Sequence, residues 1–126
     1  MATFFNLTNH PSAKWSDEQK ASALHMVGGE NGDGEIVDIP FPNIPPEATG
    51  REVRKTAFDY LVKYFDDADT ESVVLVQGEM VFTFNMVFHL QIKRIRCVAA
   101  TTERIVEERP NGEKVSVFKF VKFRKY

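Results

Sequence analysis

Three short polar segments of this chain hold side chains able to act on a charged ligand: Thr8-Asn9-His10-Pro11-Ser12, Gln77-Gly78-Glu79 and Thr101-Thr102-Glu103-Arg104. Each follows an apolar run of strand character, at residues 2–7, 73–76 and 97–100. In an open α/β sheet the carboxyl end of a parallel strand faces the N-terminus of the next helix. Unpaired N–H groups and the helix dipole favour anions such as phosphate there. Arg104 adds a guanidinium that can grip a phosphate through two hydrogen bonds. We therefore expect the three polar ends to converge on one edge of a sheet and to form an anion site.

Other chemistries are poorly supported. The glycines at 28, 29, 32 and 34 resemble a phosphate loop, but they follow a helix and precede a strand, the reverse of the order a phosphate cradle needs. Histidines 10, 25 and 89 lie on different elements, and no His/Asp/Glu set has metal-ligand spacing, so no metal and no cofactor is expected. Asp66, Asp67 and Asp69 lie between a helix and a strand and are expected to be a solvated connection. No Gly-x-Ser-x-Gly elbow and no Walker lysine is present.

The elements that must position the three ends follow from periodicity and capping. Ser16 and Gln19 stand at capping-box spacing before a helix over 17–27, and Thr49 and Glu52 before a second helix reaching Phe65. Residues 35–39 read as a strand, and the prolines at 40, 42, 45 and 46 exclude helix or central strand after it. A third helix is expected over 80–92. From Arg104 onward, runs at 105–109 and 115–123 flank Pro110-Asn111-Gly112, a hairpin turn. Strands alternating with helices predict a small Rossmann-like, mainly parallel sheet with helices on both faces, and an antiparallel C-terminal hairpin on its edge.

Composition limits the partners. The chain has 126 residues, 43% of them hydrophobic and 27% charged, with net charge −2. That is enough for one domain burying roughly 65–70% of its unfolded surface, and it argues against a general nucleic-acid coat, so stable duplex binding is not expected. Cys97 is the only cysteine, which excludes an intramolecular disulfide; a reducing cytoplasmic setting is expected. The apolar stretch at 80–88 is far short of the ~20 residues of a membrane span. The helix that holds it leaves almost no polar face, and one sheet face with one neighbouring helix is not expected to cover it, so we expect a homodimer. Asn85 and His89, one turn apart on it, form either a polar seam or a satisfied interior pair. The tail at 119–126 combines four basic residues with three aromatics and fits either a nucleic-acid surface or a lysine-protected edge strand.

Residues 4–11, 76–79, 100–104 and 115–126, in that order at successive strand ends, resemble small stand-alone CRISPR-associated proteins related to the CARF domain, some of which are ring nucleases of type III systems. The resemblance spans nearly the whole chain and implies a single CARF-like domain, with a core over 1–103 and the hairpin over 104–126. It further implies a homodimer that binds a cyclic oligoadenylate, most naturally cyclic tetra-adenylate, across its two-fold axis. Cleavage in that family needs no metal: a ribose 2′-OH attacks its neighbouring phosphate and leaves a 2′,3′-cyclic phosphate.

On that resemblance Thr8, Asn9 and Ser12 bind at the first strand end, with Lys14 at a phosphate and Trp15 either stacked on adenine or packed at the helix entry. His10 serves as general base or acid, or as a turn residue. Gln77, Gly78 and Glu79 line the floor, with Glu79 orienting a ribose hydroxyl or capping its helix. Thr101, Thr102 and Arg104 complete the phosphate site. Two rival readings stand beside the nuclease: a sensor or sponge that binds the ring without cutting it, and a small nucleic-acid-binding subunit using the basic aromatic tail.

Overall fold

The computed structural model describes residues 2–28 and 33–126. The chain runs β1 (Thr3–Thr8), a 3-10 turn (Ser12–Lys14), α1 (Asp17–Met26), β2 (Glu35–Asp38), α2 (Gly50–Phe65), β3 (Val73–Gln77), α3 (Met80–Ile92), β4 (Arg96–Glu108) and β5 (Lys114–Lys125). Most of the 28–34 glycine segment lies outside the described residues; Gly28 itself, at φ +85°, ends α1 in a conformation that only glycine adopts freely.

Local chemistry starts each helix. The Ser16 side chain accepts the Gln19 N–H at 3.2 Å, and Asp17 and Glu18 follow in the first turn, where the dipole favours negative charge. Thr49 and Glu52 form a reciprocal capping box, each side chain accepting the other's backbone N–H at 3.2 Å.

The five strands form one sheet in the order β2-β1-β3-β4-β5, with β1 to β4 parallel and β5 antiparallel to β4. Helices cover both faces, which is why β3 reads Val-Val-Leu-Val without alternation. On one face Phe4, Val73, Leu75 and Val98 pack with Trp15, Ala23 and Val27 of the α1 segment. On the other, Leu7, Val74, Val76 and Cys97 pack under Val53, Ala57 and Phe65 of α2 and Phe82, Met86 and Leu90 of α3. Among the described residues no helix is long and apolar enough to cross a membrane.

One expected boundary is wrong. Residues 101–104 are not a strand end, and the hairpin does not begin at Arg104: β4 continues unbroken from Arg96 to Glu108. It pairs with β3 only through Val98 and with β5 as far as Glu108, so antiparallel partners replace the parallel one and carry the strand onward. A register shift at Thr101/Thr102 interrupts the β4/β5 ladder just past the last residue paired with β3, Val98. Beyond it β4 and β5 form a two-stranded ribbon, closed by the expected turn: Gly112 at φ +85° donates its N–H to the Arg109 carbonyl.

Candidate functional site: the crevice at the ends of β1 and β3

In open α/β sheets the ligand crevice lies beyond the carboxyl ends, at the point where the strand order reverses. Here β1 connects through α1 to β2 on its one side, while β3, on its other side, connects through α3 to β4. The two chains leave onto opposite faces, and the crevice opens between Thr8 and Gln77, which are paired in the sheet.

The β1 end is held by a polar network around Asn6, which is buried between Phe5 and Leu7. Its amide donates to the His10 carbonyl at 2.8 Å and to Asp38 Oδ1 at 2.9 Å, and its carbonyl oxygen accepts the Thr8 hydroxyl at 2.8 Å. The Thr8 oxygen in turn accepts the His10 N–H at 3.1 Å. Asp38, at the end of β2, also accepts the Ser12 hydroxyl at 3.1 Å and the Ser12 N–H at 3.3 Å. The Trp15 indole donates to the His10 carbonyl at 3.2 Å. The turn backbone is therefore pinned from three directions, while Asn9 and His10 stay exposed at its tip. A cavity of about 360 Å³ adjoins it, lined by Thr8, Asn9, Pro11, Asp38, Pro40 and Phe41.

The β3 end is arranged differently. The Gln77 side chain bonds Ala100 of β4 in both directions, at 3.1 and 3.2 Å. Gly78 lies beneath the Phe41 ring, so close that an added Cβ would stand 2.2 Å from a ring carbon. Glu79 caps α3 by accepting the Phe82 N–H at 2.7 Å, so this helix N-terminus already carries a carboxylate of its own.

The two ends come together as expected; the third segment does not join them. The Thr101 hydroxyl donates to the Lys122 carbonyl and accepts the Lys122 N–H, bridging the ladder at the register shift. Thr102 is an exposed residue of the ribbon. Arg104 bonds the Ser116 hydroxyl through Nε at 3.1 Å and Nη2 at 2.9 Å. At about 3.3 Å of rise per residue, Arg104 stands roughly 13 Å up the strand from Ala100, which is level with Gln77. Lys14 is exposed at the end of the 3-10 turn, whereas Trp15 is buried edge-on against Phe4 and beside Phe123, a packing role that leaves no ring face for a base.

Asn6, Asp38 and Phe41 were missed from the sequence. Asn6 left a signal, a polar residue between Phe5 and Leu7 inside a strand; Asp38 and Phe41 left none, because their partners lie more than 25 residues away. A larger hollow of about 620 Å³ lies at the opposite, amino-terminal end, beside Thr3, Asp66, Asp67 and Asp69. Its carboxylates repel anions, and the strand-order reversal does not open there, so the β1/β3 crevice is the stronger site. Nor does the buried thiol suit catalysis, since burial pushes Cys97 up to about 12.

No curated protein and no solved structure matches the chain. Residues 2–124 match the family described as "Uncharacterized protein MJ1673 family", and on that span the chain belongs to the MJ1673 family.

Proposed function

We propose that this chain binds a cyclic oligoadenylate at the β1/β3 crevice and cleaves it as a metal-independent ring nuclease of type III CRISPR defence. The proposal is for a CARF-like, Rossmann-like domain acting as a homodimer around the ring. The observation that carries it is the pinned β1 turn: Asn6, Asp38 and Trp15 fix its backbone so that Asn9 and His10 stand at the strand-order reversal. A preorganised turn of this kind supplies positioning, which a 2′-OH attack needs more than an exotic catalyst.

In this reading His10 takes the proton of a ribose 2′-OH as its oxygen forms a bond to the adjacent phosphorus. The P–O5′ bond breaks, the departing 5′ oxygen takes a proton from solvent water, and the hydroxide left behind takes back the proton that His10 removed. The product is a linear chain ending in a 2′,3′-cyclic phosphate. Asn9 and Lys14 hold phosphate and base edges. Arg104, roughly 13 Å up β4 from Ala100 at the level of the crevice, meets a different phosphate of the ring from the one beside His10.

The test is incubation of the purified protein with radiolabelled cyclic tetra-adenylate and cyclic hexa-adenylate in EDTA, resolving bound, intact and linear species. Conversion supports the nuclease, and His10→Ala should then abolish turnover and keep binding. One observation favours a second reading, a sensor that binds without cutting: the Glu79 carboxylate is engaged at the Phe82 N–H rather than held toward a ligand. Binding without conversion selects that reading. Neither binding nor conversion removes both.

A further inference from the structure

α3 turns an apolar ridge to solvent. Met80, Phe84, Phe88 and Ile92 recur every fourth residue and are 83%, 71%, 53% and 65% exposed, while Phe82, Met86 and Leu90 on the opposite side are buried in the core. On the neighbouring α2, Phe58 and Val62 repeat the spacing at 54% and 52% exposure on the outer side of the same helical layer. Large side chains of this kind cover up to ~150–250 Å² each, so these six expose roughly 700 Å² of apolar surface. The largest apolar patch on a typical monomer is about 300–600 Å². A standard stable interface takes about 800 Å² from each partner.

We propose that this α2/α3 face is a self-association surface whose occupant is the same face of a second copy. Three features select a second copy. The area matches what one partner contributes to a stable interface. An isologous contact also needs a patch that complements itself: the α3 ridge is made of uncharged side chains, and beside Phe58 and Val62 the exposed Lys55 and Asp59 pair with each other at 3.0 Å and add no net charge. Finally, residues spaced by four form the ridges that interdigitate when two helices cross at about 50°, so two α3 helices can pack ridge into groove about a two-fold axis. The C-terminal ribbon is the weaker candidate. Its apolar residues are divided between two faces, with Val106 and Phe118 on one and Val117 on the other, and Lys114, Lys119, Lys122 and Lys125 stud β5.

The homodimer belongs to the ligand reading above, but this surface requires no ligand, so the two can fail separately. The experiment is sedimentation velocity of the ligand-free protein at micromolar concentration, for wild type, Phe84→Glu/Phe88→Glu and Phe118→Glu, with far-UV circular dichroism of each. The expected result is a dimeric wild type and Phe118→Glu, and a monomeric double variant with an unchanged spectrum. If the double variant loses its spectrum, Phe84→Ser/Phe88→Ser replaces it, with the same expectation. A monomeric wild type overturns the proposal, and sedimentation of that monomer with anionic phosphatidylglycerol vesicles would identify a lipid surface as the occupant instead. A dimer that survives the helix substitutions and is lost in Phe118→Glu also overturns it, in favour of the ribbon. Binding of cyclic tetra-adenylate, measured on the same samples, tests the ligand reading alone.

Discussion

The Gln77 side chain takes the place of a main chain: its amide donates to the Ala100 carbonyl at 3.2 Å, and its oxygen accepts the Ala100 N–H at 3.1 Å. β3 ends at Gln77 while β4 continues, and its pairing with β3 reaches no further than Val98. The carboxamide has the donor and acceptor of a peptide group and extends the ladder to the residue level with the crevice. Replacing Gln77 by Ala should cost about 1 kcal/mol, the net worth of the bonds lost. It should also raise the exchange rate of the Ala100 amide. Urea unfolding with an unshifted midpoint, and an Ala100 amide as protected as before, would show that the bridge contributes nothing.

Asn6 is the second test. It is buried, and its removal leaves the His10 carbonyl, the Thr8 hydroxyl and Asp38 Oδ1 each without one partner. Asn6→Ala should destabilise the protein by about 2–3 kcal/mol, since buried groups left unpaired cost their desolvation. Asp38→Ala, which frees Ser12 as well, should loosen the turn at a smaller cost because Asp38 is exposed. Chemical-shift changes confined to residues 8–12 in Asp38→Ala would match this picture; changes spread through the sheet would contradict it.

Gly78 is required by Phe41 and not by its own backbone angles, since only Gly28 and Gly112 among the described glycines have positive φ. A Cβ at position 78 would lie 2.2–2.9 Å from three atoms of the Phe41 ring, which itself packs edge-on against Phe82. Gly78→Ala should therefore cost about 1–3 kcal/mol by overpacking. The double variant with Phe41→Leu should recover part of that loss, because neighbouring substitutions couple. Strict additivity in a double-mutant cycle of unfolding free energies would rule the contact out as the cause.

Cys97 makes stability depend on alkaline pH. Burial pushes its thiol up to about 12, while in the unfolded chain it ionises near its ordinary value of 9.0. Between those values the unfolded state gives up a proton that the folded state keeps. The contribution is fully present below about pH 9 and is lost as pH rises toward 12, with a slope of up to about 1.4 kcal/mol per unit. Tyr126, whose phenol is raised by burial and by Cys97 and donates to the Val76 carbonyl, acts in the same direction from pH 10 upward. The urea midpoint of wild type should fall more steeply than that of Cys97→Ala between pH 8.5 and 11. Native protein should react with a thiol reagent at pH 8 far more slowly than unfolded protein.

How much of this was legible in the sequence depends on the range of the interaction. The N-cap at Ser16, the capping box at Thr49, the hairpin turn at Gly112 and the three helices were readable because each is set by groups within about four residues of one another. The polar ends of β1 and β3 were legible for the same reason, as abrupt breaks in apolar runs. The apolar excess of α3 was legible too, although composition says that such a surface needs cover and not which side of the helix the core already takes.

The rest was decided by tertiary structure. Thr101, Thr102 and Arg104 read as a strand end, yet β5, more than ten residues further on, supplies partners that carry β4 through them. Asn6 finds Asp38 across 32 residues, and Gly78 meets Phe41. Both contacts arise only because β1 lies between β2 and β3. By itself the sequence determined which segments are strands and helices and that β1 and β3 end in polar residues, through periodicity, capping and turn chemistry. Only the order of the strands decided which polar ends share a crevice, because strand order follows from how apolar faces are buried together over long separations, and no local pattern encodes that.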